Sequence, residues 1–396
     1  MIVKKIDNLF DIVFSVLLLS LPISVAIPNI LLGVLFLIFL FKKDKVILSN
    51  TYSKLVVIYV LYIIFKATFF NTFLENFNIY KQLLVILALS FLFFNVKNVT
   101  LVIKGYILGV SFAIILSFFK ILKFYLSFKA LPFGNTAEVQ DLILIHRPYF
   151  GFMCLIAIVL IDILFLKLKL KAEKITYLVL AFLIAVFLYV IVARLALFLL
   201  VIYLVIRSIT YLKFSRTKSV LGFITIVVLI TIFFSKNKNL KDRLHIENSY
   251  SQTIKVLKNQ EPRFVIWDCV FNQINDSKFN FYFGHNNRNT IQDNLNKCYK
   301  DNIDNISKRD YYLKTAFNTH NQFLDIFLEG GIVGLTLMLS ILFFSLYTFK
   351  DSFNSIFVIC SFVLFLMVEN LFHRQLGVYL FGVFIPLFHK ITKEKK

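Results

Sequence analysis

Long apolar runs separated by short polar connections dominate the chain, as in LLGVLFLIFLF at 31–41 and GFITIVVLITIFF at 222–234. Each run is continuous rather than alternating, which favours membrane-spanning helices over the strands of a membrane β-barrel. A helix needs roughly 20 mainly apolar residues to cross the hydrocarbon. The pattern predicts an all-α transmembrane bundle of about twelve spans, at 9–26, 27–41, 55–70, 79–95, 101–123, 148–167, 174–191, 193–212, 218–235, 321–348, 353–371 and 375–390.

The composition supports a polytopic membrane protein. Of the 396 residues, 59% are hydrophobic and 16% are charged, whereas a soluble protein carries about 25% charged residues. The first apolar run, 9–26, is followed at once by a second and lacks a convincing A-x-A cleavage site. We therefore interpret it as a retained helix rather than a removed signal peptide.

The net charge of +21 is concentrated in short connections between the apolar runs. Basic residues collect on the cytoplasmic side of membrane proteins, so this distribution indicates topology rather than binding of nucleic acid. It predicts that both termini are inside. The connections assigned to the inside are 42–54, 96–100, 167–174, 207–218, 349–352 and the C-terminal tail.

One connection, 236–320, is far longer than the others and is rich in Asn, Lys and Asp. A loop of about 85 residues is more than a connector, so we expect a small ordered subdomain of short helices. It divides the chain into 1–235 with about nine spans and 321–396 with about three. Cys269 and Cys298 lie in this loop. They can form a disulfide if the loop faces an oxidising compartment, or stay unpaired if it does not.

Five ionisable residues, far apart in sequence, map to the outer membrane face: Arg147, Arg194, Arg263, His320 and Arg374. Charges at or inside the membrane boundary cost several kcal/mol and are functional candidates by default. Each also has an ordinary explanation. Arg194 can snorkel to the headgroups, Arg147 can anchor at the interface, and Arg263 can be a solvated loop charge.

The start of the tenth span supplies the most informative residue, His320. Asn318 or Thr319 is a suitable N-cap, which would place His320 in the first helical turn. The positive end of the helix dipole disfavours imidazolium there, so we expect a neutral histidine that can accept a proton.

A polar stripe follows along the same helix, because Asn318, Gln322, Asp325 and Glu329 recur at three- and four-residue steps. Gly330 and Gly334 form a G-x-x-x-G pair that permits close approach by a neighbouring helix. We expect the stripe to face the protein interior and interpret Asp325 and Glu329 as supporting residues that orient the helix. The alternative is a polar packing seam with an interfacial histidine.

Arginines together with a neutral histidine suit transfer from a lipid-linked pyrophosphate. Guanidinium groups bind phosphate oxygens in pairs, and the histidine can deprotonate an incoming hydroxyl while the arginines stabilise the departing pyrophosphate. The outer loops contain no D-x-D motif, and the sequence has no Cys/His metal spacing. We therefore expect neither a metal nor a cofactor.

Several stretches resemble the O-antigen ligase and O-antigen polymerase family of bacterial envelope glycan enzymes. The His-Asn-x-x-Leu-x-x-x-x-Glu-x-Gly-x-x-Gly-Leu pattern is the most specific, and the arginine motifs agree in order and topology. The stretches are HRPYFG at 146–151, ARLALFLL at 193–200, EPRFVIWD at 261–268 leading to FGHNNRN, THNQFLDIFLEGGIVGL at 319–335 and VENLFHRQLGVYLFGVF at 368–384.

The resemblance implies a glycosyltransferase of the bacterial inner membrane that acts at the periplasmic face. Its donor would be an undecaprenyl-diphosphate-linked glycan. The acceptor would be lipid A–core in a ligase or another lipid-linked unit in a polymerase. By the resemblance, His320 is the base, Arg194 and Arg263 bind the donor diphosphate, Arg147 assists, and the anomeric carbon inverts.

Three departures from the family pattern leave ligase and polymerase open. Arg147 separates His146 from Pro148, the sequence reads Ala193-Arg194-Leu195 where Ser-Arg-Gly/Ala is usual, and Gly284 is the remnant of a glycine-rich turn. We favour the ligase because a single large loop precedes His320. A transporter of lipid-linked glycan is the rival from another class, but it predicts midplane charges in paired halves, which we do not find.

Overall fold

The computed structural model describes residues 2–46, 50–129, 141–212, 249 and 261–394. The regular elements in this part of the chain are helices, which we number α1 to α14 in chain order. They are α1 Ile2–Ser20, α2 Ala26–Phe41, α3 Thr51–Phe69, α4 Phe77–Phe94, α5 Val99–Phe128, α6 Arg147–Phe165, α7 Lys171–Val190, α8 Arg194–Leu212, α9 Pro262–Ile274, α10 Arg288–Asn302, α11 Ile306–Thr315, α12 Gln322–Phe349, α13 Phe353–Leu366 and α14 Gln375–Glu394, with a 3₁₀ turn at Leu371–His373.

Seven of the described helices are long and apolar enough to cross a membrane: α3, α4, α5, α6, α7, α12 and α14. Helices α2 and α13 are apolar but shorter. Helices α1 and α8 overlap the spans predicted at 9–26 and 193–212 but do not belong to the seven, and the span predicted at 218–235 lies outside the described residues. The helical, multi-pass membrane character is confirmed. The predicted count of twelve spans is not.

The helices form two compact units, one of residues 1–38 and 97–257 and the other of 39–96 and 258–396. In the first unit α5 packs closely on α1, because a Cβ on Gly105 or Gly109 would fall 2.3 Å from atoms of α1. Small residues permit this approach between helices in a membrane. The Asp11 carboxylate accepts the amides of residues 97 and 98 at 2.9 and 2.7 Å, which satisfies donors at the start of α5.

Helix α6 lies at the centre of the first unit and is buried along most of its length. Its Asp162 pairs with Arg207 of α8 at 2.9 Å and accepts the Tyr203 hydroxyl at 2.9 Å. Helix α8 continues past Arg207 to Leu212, and the inside position predicted for this end of α8 stays a prediction. Arg207 lies within a helix, because Asp162 on the neighbouring helix neutralises its charge there.

In the second unit α12 packs against α3, α13 and α14, and α14 packs against α4. The three short helices α9, α10 and α11 lie in the predicted large loop and share an apolar core with α12. A disulfide between Cys269 of α9 and Cys298 of α10 crosses this core. The core consists of Ile266, Cys269, Val270, Ile291, Leu295, Tyr299, Ile303, Tyr312 and Leu328.

Candidate active site

The segment that leads into α12 is attached to the short helices by side-chain hydrogen bonds. The carbonyl of Phe317 accepts Gln292 Nε2 and the Tyr299 hydroxyl, both at 3.2 Å. The carbonyl of Thr319 accepts the indole N–H of Trp267 at 3.1 Å. Helices α9 and α10 therefore hold in position the segment that carries His320.

His320 lies before α12 rather than in its first turn. The N-cap is Asn321, whose side chain accepts the amides of the second and third helical residues at 3.0 and 3.1 Å. His320 adopts a left-handed φ of +43° and donates its amide to Asn318 Oδ1 at 3.1 Å. The prediction of Asn318 or Thr319 as the cap is wrong, because both side chains are used in the turn before the helix. Because the effect of the helix dipole falls off beyond the first turn, the dipole disfavours an imidazolium at His320 less than predicted.

His320 and Arg263 share one carboxylate, that of Glu369. His320 Nδ1 lies 3.8 Å from Glu369 Oε2, and Arg263 Nη2 lies 3.4 Å from Glu369 Oε1. Arg263 also donates to the carbonyl of Val368 at 3.2 and 3.1 Å and pairs with Glu261. The structure thus brings together the predicted base and one predicted diphosphate ligand.

The burial of these three side chains differs in a way that suits a reaction site. Glu369 is only 7% exposed, whereas His320 and Arg263 are each 24% exposed. Burial raises the pKa of the Glu369 carboxyl, and the positive charges of Arg263 and Arg374 act in the opposite direction. A buried acidic side chain thus lies next to a histidine and an arginine that remain accessible.

A second charge network surrounds Arg288 at the start of α10. Arg288 donates to Asp325 Oδ2 at 2.7 Å and to Glu329 Oε2 at 2.6 Å, and His373 Nε2 donates to the same Asp325 oxygen at 2.8 Å. Burial lowers the pKa of Arg288, but the charges of Asp325 and Glu329 outweigh it and raise that pKa above its ordinary value. The two carboxylates of the predicted stripe thus have a cationic partner.

The predicted inward direction of the stripe is confirmed. Gln322 and Asp325 are buried, and Gln322 Oε1 accepts the backbone amide of Phe372 at 2.8 Å. The predicted close approach at Gly330 and Gly334 is confirmed as well, because a Cβ on either would lie 3.3–3.5 Å from side chains of α3.

Helix α12 is interrupted at Gly331, where φ is +60° and ψ is −162°. The carbonyls of residues 328–330 therefore accept donors from outside the helix. They receive the His285 amide at 2.7 Å, the Lys66 ammonium, and the Tyr62 hydroxyl at 2.7 Å. A cation is favourable there because the end of a helical segment carries negative partial charge. These donors bond the carbonyl groups that the break leaves without helical partners, which allows the break within a long apolar helix.

A small cavity lies beside this break. Its free volume of about 10 Å³ is close to what one water needs. Glu329 Oε1 and His285 Nε2 are buried and have no hydrogen-bond partner among the residues that the structure describes. Burial lowers the pKa of His285, and Lys66 adds to that effect. The cavity is lined by Ile63, Lys66, Ala67, Tyr80, His285, Asn286, Arg288 and Glu329.

Arg147 and Arg194 belong to the first unit, and they begin α6 and α8 as predicted. Arg147 is buried, and Arg194 is partly exposed. The first turns of the two helices touch, because a Cβ on Gly151 would lie 2.4 Å from the Ala193 Cβ. His320 and Arg263 belong to the second unit, so the predicted meeting of all four side chains stays a prediction.

Residues 179–339 match a family model described as O-antigen ligase. The resemblance to the O-antigen ligase and polymerase family is confirmed. No curated protein matches the chain.

The O-antigen ligase match includes Arg194, Arg263 and His320 but not Arg147 or Glu369. It also includes both carboxylates of the stripe on α12. The family is consistent with an enzyme of the membrane glycosyltransferase type and with lipid-linked glycan as a partner. In the part of the chain that the structure describes, no three His, Cys, Asp or Glu side chains are grouped as metal ligands.

Three residues of the candidate site region were not picked out as site residues from the sequence pattern: Lys66, Arg288 and Glu369. Lys66 had a usable signal, since it is a lone lysine within an apolar run. Arg288 lies in FGHNNRN, where a cation looks like an ordinary polar-loop residue, and Glu369 lies in VENLFH beside more conspicuous basic residues.

Proposed function

We propose that this protein is a glycosyltransferase of the O-antigen ligase family that moves a glycan from undecaprenyl diphosphate to a lipid A–core acceptor. The observation that carries the proposal is the placement of His320 and Arg263, both accessible, on either side of the Glu369 carboxylate. This arrangement joins a candidate base to a candidate phosphate ligand within the family match.

In the proposed reaction His320 accepts the proton of the acceptor hydroxyl as that oxygen attacks the anomeric carbon. The bond from this carbon to the diphosphate oxygen breaks, and the diphosphate leaves with the electron pair. Arg263, Arg194 and Arg147 stabilise the charge on the leaving group, since guanidinium groups bind phosphate oxygens well. Direct displacement inverts the configuration at carbon.

We place the reaction at the periplasmic face of the inner membrane, with both termini in the cytoplasm. The distribution of basic connections supports this orientation. The disulfide Cys269–Cys298 gives independent support, because disulfides persist in oxidising compartments such as the periplasm.

Purified His320→Ala, Arg263→Ala and Arg194→Ala proteins test the assignment. We expect His320→Ala to lose about 10²–10⁴-fold in glycan transfer, which is the usual contribution of a general base. Lys300→Met is the matched control, since Lys300 is exposed on α10. Wild-type glycan transfer by His320→Ala would overturn the enzyme assignment. Continued translocation of lipid-linked glycan by the same variant would favour a transporter instead.

The glycan product of a deletion strain separates ligase from polymerase within the family. Loss of a ligase leaves long chains stranded on the lipid carrier. Loss of a polymerase instead leaves a single unit attached to lipid A. We expect the stranded chains, and single attached units would replace the ligase proposal with the polymerase.

A further inference from the structure

Glu369 is a buried acidic group that forms an ion pair with His320. Its Oε2 lies 3.8 Å from His320 Nδ1, and its Oε1 lies 3.4 Å from Arg263 Nη2. Glu369 is 7% exposed and lies in the short connection between α13 and the 3₁₀ turn. This connection is outside the segment that matches the family model.

The orientation of the imidazole determines which nitrogen can accept a proton. A carboxylate on the Nδ1 side favours a hydrogen on Nδ1, which leaves the lone pair on Nε2. A separation of 3.8 Å is too long for a hydrogen bond but shorter than the reach of ionic attraction. Hydrogen bonds of catalytic groups are often long before substrate binds.

We propose that Glu369 is a positioning residue that holds His320 with Nδ1–H towards its carboxylate and Nε2 towards the acceptor hydroxyl. The proposal rests on the proposed function, in which His320 is the base. When Nε2 takes the hydroxyl proton, the imidazole becomes an imidazolium, and the Glu369 carboxylate stabilises the new charge without taking the proton. The proton leaves His320 for solvent after the glycan has moved.

The other charged groups around Glu369 supply a matched control. Arg263 and Arg374 are the cations, and Glu261 is the second carboxylate on Arg263. Glu261 forms its ion pair with Arg263, whereas Glu369 pairs with both Arg263 and His320. Glu261→Gln therefore changes the charge beside Arg263 by the same amount as Glu369→Gln and separates an effect on His320 from an effect on Arg263.

The first experiment measures kcat and KM for the lipid-linked donor across pH. For Glu369→Gln we expect kcat to fall about 10- to 100-fold, which is less than the roughly 10²–10⁴-fold loss expected on removal of the base itself, because the imidazole remains. The acidic limb of the kcat profile should move about one unit lower, because the carboxylate no longer favours the imidazolium. For Glu261→Gln we expect a lower donor KM and an unmoved acidic limb. An unmoved limb in Glu369→Gln overturns the proposal.

A double-mutant cycle separates this proposal from the proposed function. If Glu369 acts through His320, Glu369→Gln costs no further activity in a His320→Gln protein. An equal loss in both backgrounds overturns the positioning role while the base assignment stands. If His320→Gln alone retains wild-type transfer, the proposed function itself fails.

If Glu369→Gln folds poorly, a measurement that does not depend on turnover still tests the proposal. Diethyl pyrocarbonate modifies neutral imidazole. The extent of its reaction with His320, measured by mass spectrometry across pH, therefore reports the fraction of His320 that is neutral. We expect its midpoint to fall by about one unit in Glu369→Gln and to stay near wild type in Glu369→Asp. Equal midpoints in wild type and a folded Glu369→Gln or Glu369→Ala protein contradict the proposal.

Discussion

The disulfide between Cys269 and Cys298 predicts a redox dependence of the candidate site. It joins α9, which carries Arg263 in its first turn, to α10, which carries Arg288. Trp267 of α9 also holds the carbonyl of Thr319, next to His320. Opening the short helices would therefore disturb Arg263, Arg288 and the segment before α12 together.

The size of the effect follows from the loop that the disulfide closes. The two cysteines are 29 residues apart. Chain-entropy arguments then give about 3.6 kcal/mol of stabilisation at 25 °C. At about 1.4 kcal/mol for each factor of ten, reduction should raise the opening equilibrium of α9–α11 a few hundred-fold.

Hydrogen exchange of the purified protein, with and without dithiothreitol, measures this opening. We expect amides of α9 and α10 to exchange a few hundred-fold faster after reduction, and amides of α6 to keep their rates. Cys269→Ser/Cys298→Ser should show the fast rates in both conditions, whereas Cys360→Ser, which alters a free cysteine, should behave as wild type. Unchanged exchange and unchanged transfer after verified reduction would refute the reasoning.

Two further substitutions test the structural elements around α12. Arg288→Met leaves the carboxylates of Asp325 and Glu329 without their cation, so we expect the free energy of unfolding to fall by about 3–5 kcal/mol and the folded yield to drop. Lys300→Met on the same helix should fold normally, and equal yields of the two variants would contradict this. Gly331→Ala places a Cβ 2.2 Å from the Tyr282 carbonyl oxygen at a residue with positive φ. We therefore expect the free energy of unfolding, measured by thermal denaturation, to fall by about 1–3 kcal/mol. Gly33→Ala, with open space around it, should change the transition little, and a similar shift in both would remove the special role of Gly331.

Periodicity predicted the parts of the structure that depend on one helix at a time. The three- and four-residue steps of Gln322, Asp325 and Glu329 correctly indicated an inward face. The partner of that face could not be predicted, because Arg288 lies 37 and 41 residues before the two carboxylates. Such a pairing depends on the packing of α10, and a polar loop with many cations does not distinguish one of them.

The start of α12 shows a different limit. Asn318, Thr319 and Asn321 are all good cap residues, so local preference alone does not choose among them. Tertiary contacts decide, because Thr319 is buried and bonded to Asn370 at 2.8 Å, which leaves Asn321 as the cap. His320 then falls in the turn before the helix, where its left-handed backbone could not be expected from its residue type.

The network around Arg288 and the network around Glu369 differ in burial and in charge balance. The Lys66 ammonium donates to the main-chain carbonyl of Glu329, and Arg288, which is 11% exposed, offsets the charges of Asp325 and Glu329. Removing any one of them would leave a buried charge unmatched, which suits a rigid support better than a group that must change charge in a reaction. His320 and Arg263 are more accessible, and the imidazole can gain and lose a proton beside Glu369. The stripe thus suits a rigid support for the start of α12, and in the proposed reaction proton transfer falls to the histidine just before it.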